Sequence, residues 1–154
     1  MKVLVRVLAT LGPVGYAPFA PATAASAVVA FVGWFLPTPG LSETMALFAV
    51  GTIAAMWISG EAEKELGHDA KPIVVDEAVG QSLALLFVPH SVIAYAASFV
   101  LFRVFDVWKP LGAQQAQRLE GGLGVVADDV IAGLTACMVF HLGYWGVRAL
   151  GWAS

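Results

Sequence analysis

Five apolar runs of helical length follow one another along this 154-residue chain, and nearly all of its charge is confined to their ends and to the segments between them. The runs lie at about 22–37, 43–60, 75–88, 90–106 and 125–150. Only 12% of the residues are charged and 59% are hydrophobic, with a mean hydropathy of +0.81. A soluble domain carries roughly twice that charged fraction. The pattern predicts an all-α protein: one domain over 1–154, an integral membrane bundle of about five helices with added interfacial helices. The third and fourth runs are short for a ~30 Å hydrocarbon core. Tilt, flanking turns or a partly re-entrant path would accommodate them. A net charge of -3 gives no nucleic-acid signal. The single cysteine, Cys137, rules out an intramolecular disulfide. It is followed by MVFHLG, which lacks the arginine that a thiol phosphatase needs in its phosphate loop.

Lys2 and Arg6 punctuate an apolar start that Gly12-Pro13 breaks early. This reads as a retained interfacial helix and not as a signal peptide. Prolines and glycines make Thr10 to Ser26 a loop leading into the first run, and Pro21 suits a first helical turn. The charged stretch Gly60 to Pro72 is either a solvated loop or an extension of the second helix. Pro89-His90 allows two readings: a kink in one span from Val79 to Phe102, or a hairpin of two short helices. The hairpin, with a cytoplasmic N-terminus, puts Lys2, Arg6, Lys64, Lys71, Arg103, Lys109 and Arg118 inside and only Arg148 outside. That distribution follows the positive-inside rule, so the hairpin is preferred. Gly112 to Gly124 has the spacing of a short surface helix, and Trp34, Trp108, Trp145 and Trp152 suit an aromatic belt.

In this topology Asp76 and Glu77 open the third helix, Asp106 closes the fourth, and Asp128 and Asp129 open the fifth, all at one membrane face. Acidic residues favour helix N-termini, which accounts for the two pairs without invoking function. Asp106 does not fit that account, because the same dipole disfavours an acid at a helix C-terminus. Five crowded carboxylates repel one another, and a hard divalent cation such as Mg²⁺ relieves the repulsion. Neighbouring residues on a helix point about 100° apart, so one member of each acidic pair faces the centre directly. Arg103, Asp106 and Lys109 share a helix face, as an ion-pair ladder or as two cations gripping a phosphate beside a metal. Thr23 and Ser26 could cap the first long helix or present its N–H groups to that phosphate. His68-Asp69 falls in the cytoplasmic segment, His90 at the opposite side, and His141 deep in the last helix.

PATAAS (21–26), IVVDEAVG (73–80), FRVFDVWKP (102–110) and GGLGVVADDVIAG (121–133) occur in an order and spacing that resemble the phosphatidylglycerophosphatase A family. The resemblance covers most of Thr10 to Gly133. It implies a Mg²⁺-dependent phosphatase of the bacterial inner membrane, with its active site facing the cytoplasm. Such an enzyme hydrolyses the terminal phosphomonoester of phosphatidylglycerophosphate to give phosphatidylglycerol, a step of phospholipid biosynthesis. The family's acidic motifs carry over onto Asp76, Glu77, Asp106, Asp128 and Asp129 as catalytic residues. Asp76, Asp106 and Asp128 are then the expected metal ligands, and Glu77 or Asp129 the base or its support. Arg103 and Lys109, with Thr23 and Ser26, are the expected substrate-binding residues. The chain departs from the family where Pro-Gly-Thr and Gly-Ser are usual: here Pro21-Ala22-Thr23 and Ala25-Ser26 stand. It also has Leu111 where an aromatic is common. Two other readings remain open at this point, a cation-conducting membrane protein and an inactive homologue. Direct attack by water and an aspartyl-phosphate intermediate are both compatible with these residues.

Overall fold

A computed structural model describes residues 2–37, 39–68, 70–109 and 121–151. Among them are six α-helices and no strand. They are α1 (Lys2–Ala9), α2 (Pro21–Phe35), α3 (Leu41–Leu66), α4 (Val75–Ala84), α5 (Val92–Trp108) and α6 (Gly122–Ala149), with a 3₁₀ turn at Val14–Tyr16. The all-helical expectation holds. The charged stretch after Ser59 proves to be helix as far as Leu66 and not loop, and Gly67 at φ 98° ends it. The third expected helix is shorter than its apolar run, since the chain leaves helical geometry at Leu85 and Phe87 takes φ 57° ahead of Pro89. The surface helix expected over 112–124 lies largely outside the described residues, as do Asp69 and Trp152.

The α4–α5 connection is a hairpin. The Ser98 hydroxyl donates to the Ala84 carbonyl at 2.7 Å, and the Phe102 ring covers Gly80, a register that runs antiparallel. α2 runs with α4: Ser26 lies by Arg103, and Gly33 by Tyr95 and Leu85. α6 also runs with α4, because Gly80 meets Asp129 and Leu83, further along α4, meets Gly133, further along α6. α3 runs the other way and brings Met56 and Gly60 to Gly122 at the start of α6. Directions therefore alternate from α2 to α6. One end of the bundle collects the starts of α2, α4 and α6 with the ends of α3 and α5. At the other end His90 stacks on Trp34, with ring centroids 3.9 Å apart, and its Nε2 lies 2.7 Å from the Trp34 carbonyl oxygen.

The interior is built from small residues. Ala25, Ser26, Ala55, Ser59, Ala62, Ala84, Ser98, Ala132 and Ala136 are buried where helices meet, and Phe102 is the largest fully buried side chain. Backbones pack this closely in bilayer proteins, where surrounding lipid is as apolar as a leucine core and tight fit replaces hydrophobic exclusion. The large apolar side chains point outward instead. Leu47, Val50, Ile53 and Trp57 form an exposed stripe along α3. α3 and α6 are long and apolar enough to cross a membrane. α1 packs on the end of α3 through Val5 and Ala9 against Ala62, Ile73 and Val125. Arg6 and Lys2 pair with Glu65 at 3.1 and 3.6 Å.

Candidate active site

Three features of the fold set the position of the acidic residues. The segment ahead of α4 is tied to the start of the chain, where the Val74 N–H donates to the Ala9 carbonyl at 2.9 Å. That contact places Asp76 and Glu77 in the first turn of α4. Gly80 and Gly133 lie one turn beyond Asp76 and Asp129, and they bring α4 and α6 into backbone contact. A Cβ on Gly80 would lie 2.7 Å from the Asp129 carbonyl oxygen. Finally, α5 brings Arg103, Asp106 and Lys109 to the same end.

Asp76, Glu77 and Asp129 each present a carboxylate oxygen within 4.8 Å of the others. Asp76 is 7% exposed and Asp129 3%. Asp76 Oδ1, Glu77 Oε2 and Asp129 Oδ2 are buried and have no hydrogen-bond partner among the described residues. Buried charge left uncompensated is strongly unfavourable. The positive end of the α4 dipole, with Asp76 and Glu77 in its first turn, offsets part of this at ~0.3–1 kcal/mol. A divalent cation would offset far more, and oxygen-only donors at this spacing suit a hard ion. The donor set therefore fits a metal, and these three residues are the ones that would hold it.

The other two acids are already paired. Asp106 Oδ2 accepts from Arg103 at 3.0 Å, and Arg103 also donates to the Ser26 hydroxyl at 3.4 Å. Lys109 pairs with Asp128 across the α5–α6 gap. Lys109 is the C-cap of α5 and sits in the left-handed region at φ 49°. Partial burial disfavours its charge, yet the Asp128 hydrogen bond and the charges of Asp128, Asp106 and Asp129 prevail, raising its ammonium pKa above the ordinary lysine value. Asp106 sits between the two groups, and its charge acts on Glu77, Asp129 and Lys109.

The expected site residues thus divide. All five acids, Arg103, Lys109 and Ser26 come to one end of the bundle, with Thr23 half-buried in the first turn of α2. The carboxylate oxygens that lie within 4.8 Å of one another are those of Asp76, Glu77 and Asp129; of the expected metal ligands, Asp76 joins this group, while Asp106 and Asp128 stand in the two ion pairs. The reason is rotation about α6: Asp129 faces α4, while Asp128 faces α5 and Lys109. His68 lies 2.5 Å from Glu63 on the surface, and His141 Nε2 lies 2.9 Å from the Leu86 carbonyl oxygen, far from the acids. Sequence reasoning passed over Gln81, which is fully buried one turn after Glu77. A glutamine inside an apolar run was the only signal for it.

The family model described as phosphatidylglycerophosphatase A matches residues 7–144. A putative phosphatidylinositol-3-phosphatase of Bacteroides thetaiotaomicron is 39% identical over 140 residues, covering 85% of this chain and 87% of that protein. The phosphatidylglycerophosphatase A of Escherichia coli is 31% identical over 135 residues, covering 84% and 78%. That of Haemophilus influenzae is 40% identical over 81 residues, about half of each chain. No solved structure matches the chain.

Proposed function

Because the chain belongs to the phosphatidylglycerophosphatase A family, and is by that membership a lipid phosphatase, we propose that it hydrolyses the terminal phosphomonoester of phosphatidylglycerophosphate with Mg²⁺ held by Asp76, Glu77 and Asp129. The observation that carries this reading is the set of three unpartnered, buried carboxylate oxygens beside two acid–base ion pairs. When bound, the cation supplies Lewis-acid polarisation of a phosphoryl oxygen. Arg103 and Lys109 bind the remaining phosphoryl oxygens, exchanging Asp106 and Asp128 for the substrate anion. Ser26 holds the Arg103 guanidinium on the substrate side. Asp106, released from Arg103, takes a proton from the attacking water. The new bond joins that water's oxygen to phosphorus, the phosphorus–oxygen bond to the glycerol breaks, and the leaving oxygen takes up the proton that Asp106 received. Products are phosphatidylglycerol and inorganic phosphate.

The membrane assignment supports this reading. In the proposed topology five helices cross the bilayer, α4 and α5 as a short hairpin, with the starts of α2, α4 and α6 at the cytoplasmic face of the inner membrane. The acids then lie at headgroup depth, where a lipid phosphate is found while its acyl chains stay in the bilayer. A cation path would want carboxylates spread along the bundle, and these gather at one end. A second substrate is favoured by the name of the Bacteroides relative: a phosphatidylinositol monophosphate, which presents the same phosphomonoester on a lipid headgroup.

Phosphate release from each lipid by purified protein, with Mg²⁺ or chelator, tests the proposal. Release from phosphatidylglycerophosphate that needs Mg²⁺ and is lost in Asp129→Asn is expected. No release from that lipid would overturn the primary substrate, and no release from either would support the inactive-homologue reading.

A further inference from the structure

Gln81 is the one long polar side chain in the described structure that is fully buried with both amide atoms lacking a protein partner. Leucine or methionine would fill a similar volume without burying an unsatisfied amide, so packing does not account for the residue. Thr52 and Ser59 on α3 also carry unpartnered buried hydroxyls. A hydroxyl can rotate onto the carbonyl one turn back in its own helix, whereas a glutamine amide has no such local outlet.

Its position on α4 indicates what the amide faces. Glu77 and Gln81 are four residues apart and share a helix face, about 6 Å apart along the axis. Long side chains on a helix lean back over the preceding turn, which directs the Gln81 amide toward Glu77 and the start of α4. There the carboxylates of Asp76, Glu77 and Asp129 converge, each with an unpartnered buried oxygen. Gly80, its neighbour, is sealed under Phe102 and the Asp129 backbone, which closes that side against other partners.

We propose that Gln81 is a positioning residue for the three-carboxylate centre, its amide closing the inner side of the centre and orienting Glu77 through hydrogen bonds relayed by a buried water. Buried waters take such places, typically making about three hydrogen bonds to polar groups that otherwise have none. Partners of this kind behind metal ligands commonly set metal affinity by 10–100-fold. The inference rests on the metal reading given above.

The test measures metal alone, without turnover: Mn²⁺ binding by electron paramagnetic resonance, and thermal unfolding of the metal-free protein, for the wild type, Gln81→Leu and Gln81→Met. The expected result is a Mn²⁺ dissociation constant raised about tenfold or more in both variants. The metal-free melting temperature should be equal to or above that of the wild type, because an unsatisfied amide has been removed. A purely structural glutamine would give lower stability with unchanged affinity. Wild-type affinity in either variant would overturn the proposal for Gln81 alone, and failure of both variants to fold would also overturn it. If the wild type itself binds no Mn²⁺, the metal reading falls and this inference with it.

Discussion

Gly80 and Gly133 touch backbone to backbone, and each lies one helical turn beyond a carboxylate of the centre, Asp76 on α4 and Asp129 on α6. A methyl group on Gly133 would clash with the Gly80 carbonyl oxygen and crowd the Leu83 Cβ at 2.9 Å. Neither helix backbone can yield without moving an acid. Gly133→Ala is therefore expected to destabilise the protein by about 1–3 kcal/mol, despite a gain of ~1 kcal/mol in helix propensity. It should also weaken Mn²⁺ binding. Thermal unfolding and metal titration on the same sample check both effects. Wild-type metal affinity in that variant would show that the helix spacing does not set the centre.

The two adjacent aspartates of α6 should respond differently to the same substitution. Asp129→Asn removes a member of the metal-capable group, and Mg²⁺-dependent activity should fall by about 10³-fold or more, in line with the loss of a group that stabilises the transition state. Asp128→Asn removes the buried partner of Lys109 and leaves the three-carboxylate group whole, so Mn²⁺ affinity should fall less than in Asp129→Asn. Equal loss of metal binding in both variants would contradict the proposed division of roles.

Arg103 donates to both Asp106 and Ser26 through one nitrogen, Nη1. A bidentate grip on a phosphate needs the planar guanidinium fork, which lysine lacks. Arg103→Lys should lower kcat/KM for lipid phosphate by about 10–10²-fold. Ser26→Ala should cost less, because its contact with Arg103 is long and its own hydroxyl already donates to the Ala22 carbonyl at 2.9 Å. Steady-state phosphate release across substrate concentrations separates the two effects.

The ion pair of Lys109 carries its own pH dependence. The folded-state ammonium pKa is raised, so the stabilisation is fully present below the ordinary lysine value and is lost as pH rises through the folded value. Alkaline unfolding of the wild type should contain this contribution, and Lys109→Met should lack it. Chemical denaturation at a series of pH values above neutrality measures the difference. Parallel curves for the two proteins would refute it.

Topology is checked by cysteine labelling in a Cys137→Ala background. A cysteine replacing Lys64, near the end of α3, should react from the cytoplasmic side, and one replacing Ser91, at the hairpin turn, from the opposite side. Labelling of both from one side would reject the hairpin as a pair of crossings.

Much of this was legible in the chain because charge is so scarce. With 12% charged residues, each acid at the edge of an apolar run stands out, and Asp76, Glu77, Asp106, Asp128 and Asp129 could be assigned to one end once the hairpin had been chosen. Pro89 and the distribution of lysine and arginine were enough to separate α4 from α5. The pairing within the site was not legible. Whether Asp128 or Asp129 faces α4 depends on the rotation of α6, which the Gly80–Gly133 contact sets, and two glycines in separate motifs do not announce that they meet. The end of α4 at Ala84 was hidden too, because Leu85, Leu86 and Phe87 continue the apolar run while the backbone leaves the helix. Gln81 was missed for a related reason: periodicity ranks residues by polarity, and only the fold shows that this amide is buried without a protein hydrogen-bond partner.

The hydrogen bond from Val74 to Ala9 also bears on the order in which the molecule is made. Its two partners are separated by the 3₁₀ turn, α2 and α3, and Asp76 meets Asp129 across a further stretch that includes most of α4 and all of α5. Contacts so distant along the chain are slow to close, because intervening chain entropy must be lost first. Helices α2 to α5 can each form as they emerge, but the carboxylate trio exists only after α6 has docked. During synthesis the chain is therefore a bundle before it is a catalyst, and its chemistry is the last property it acquires.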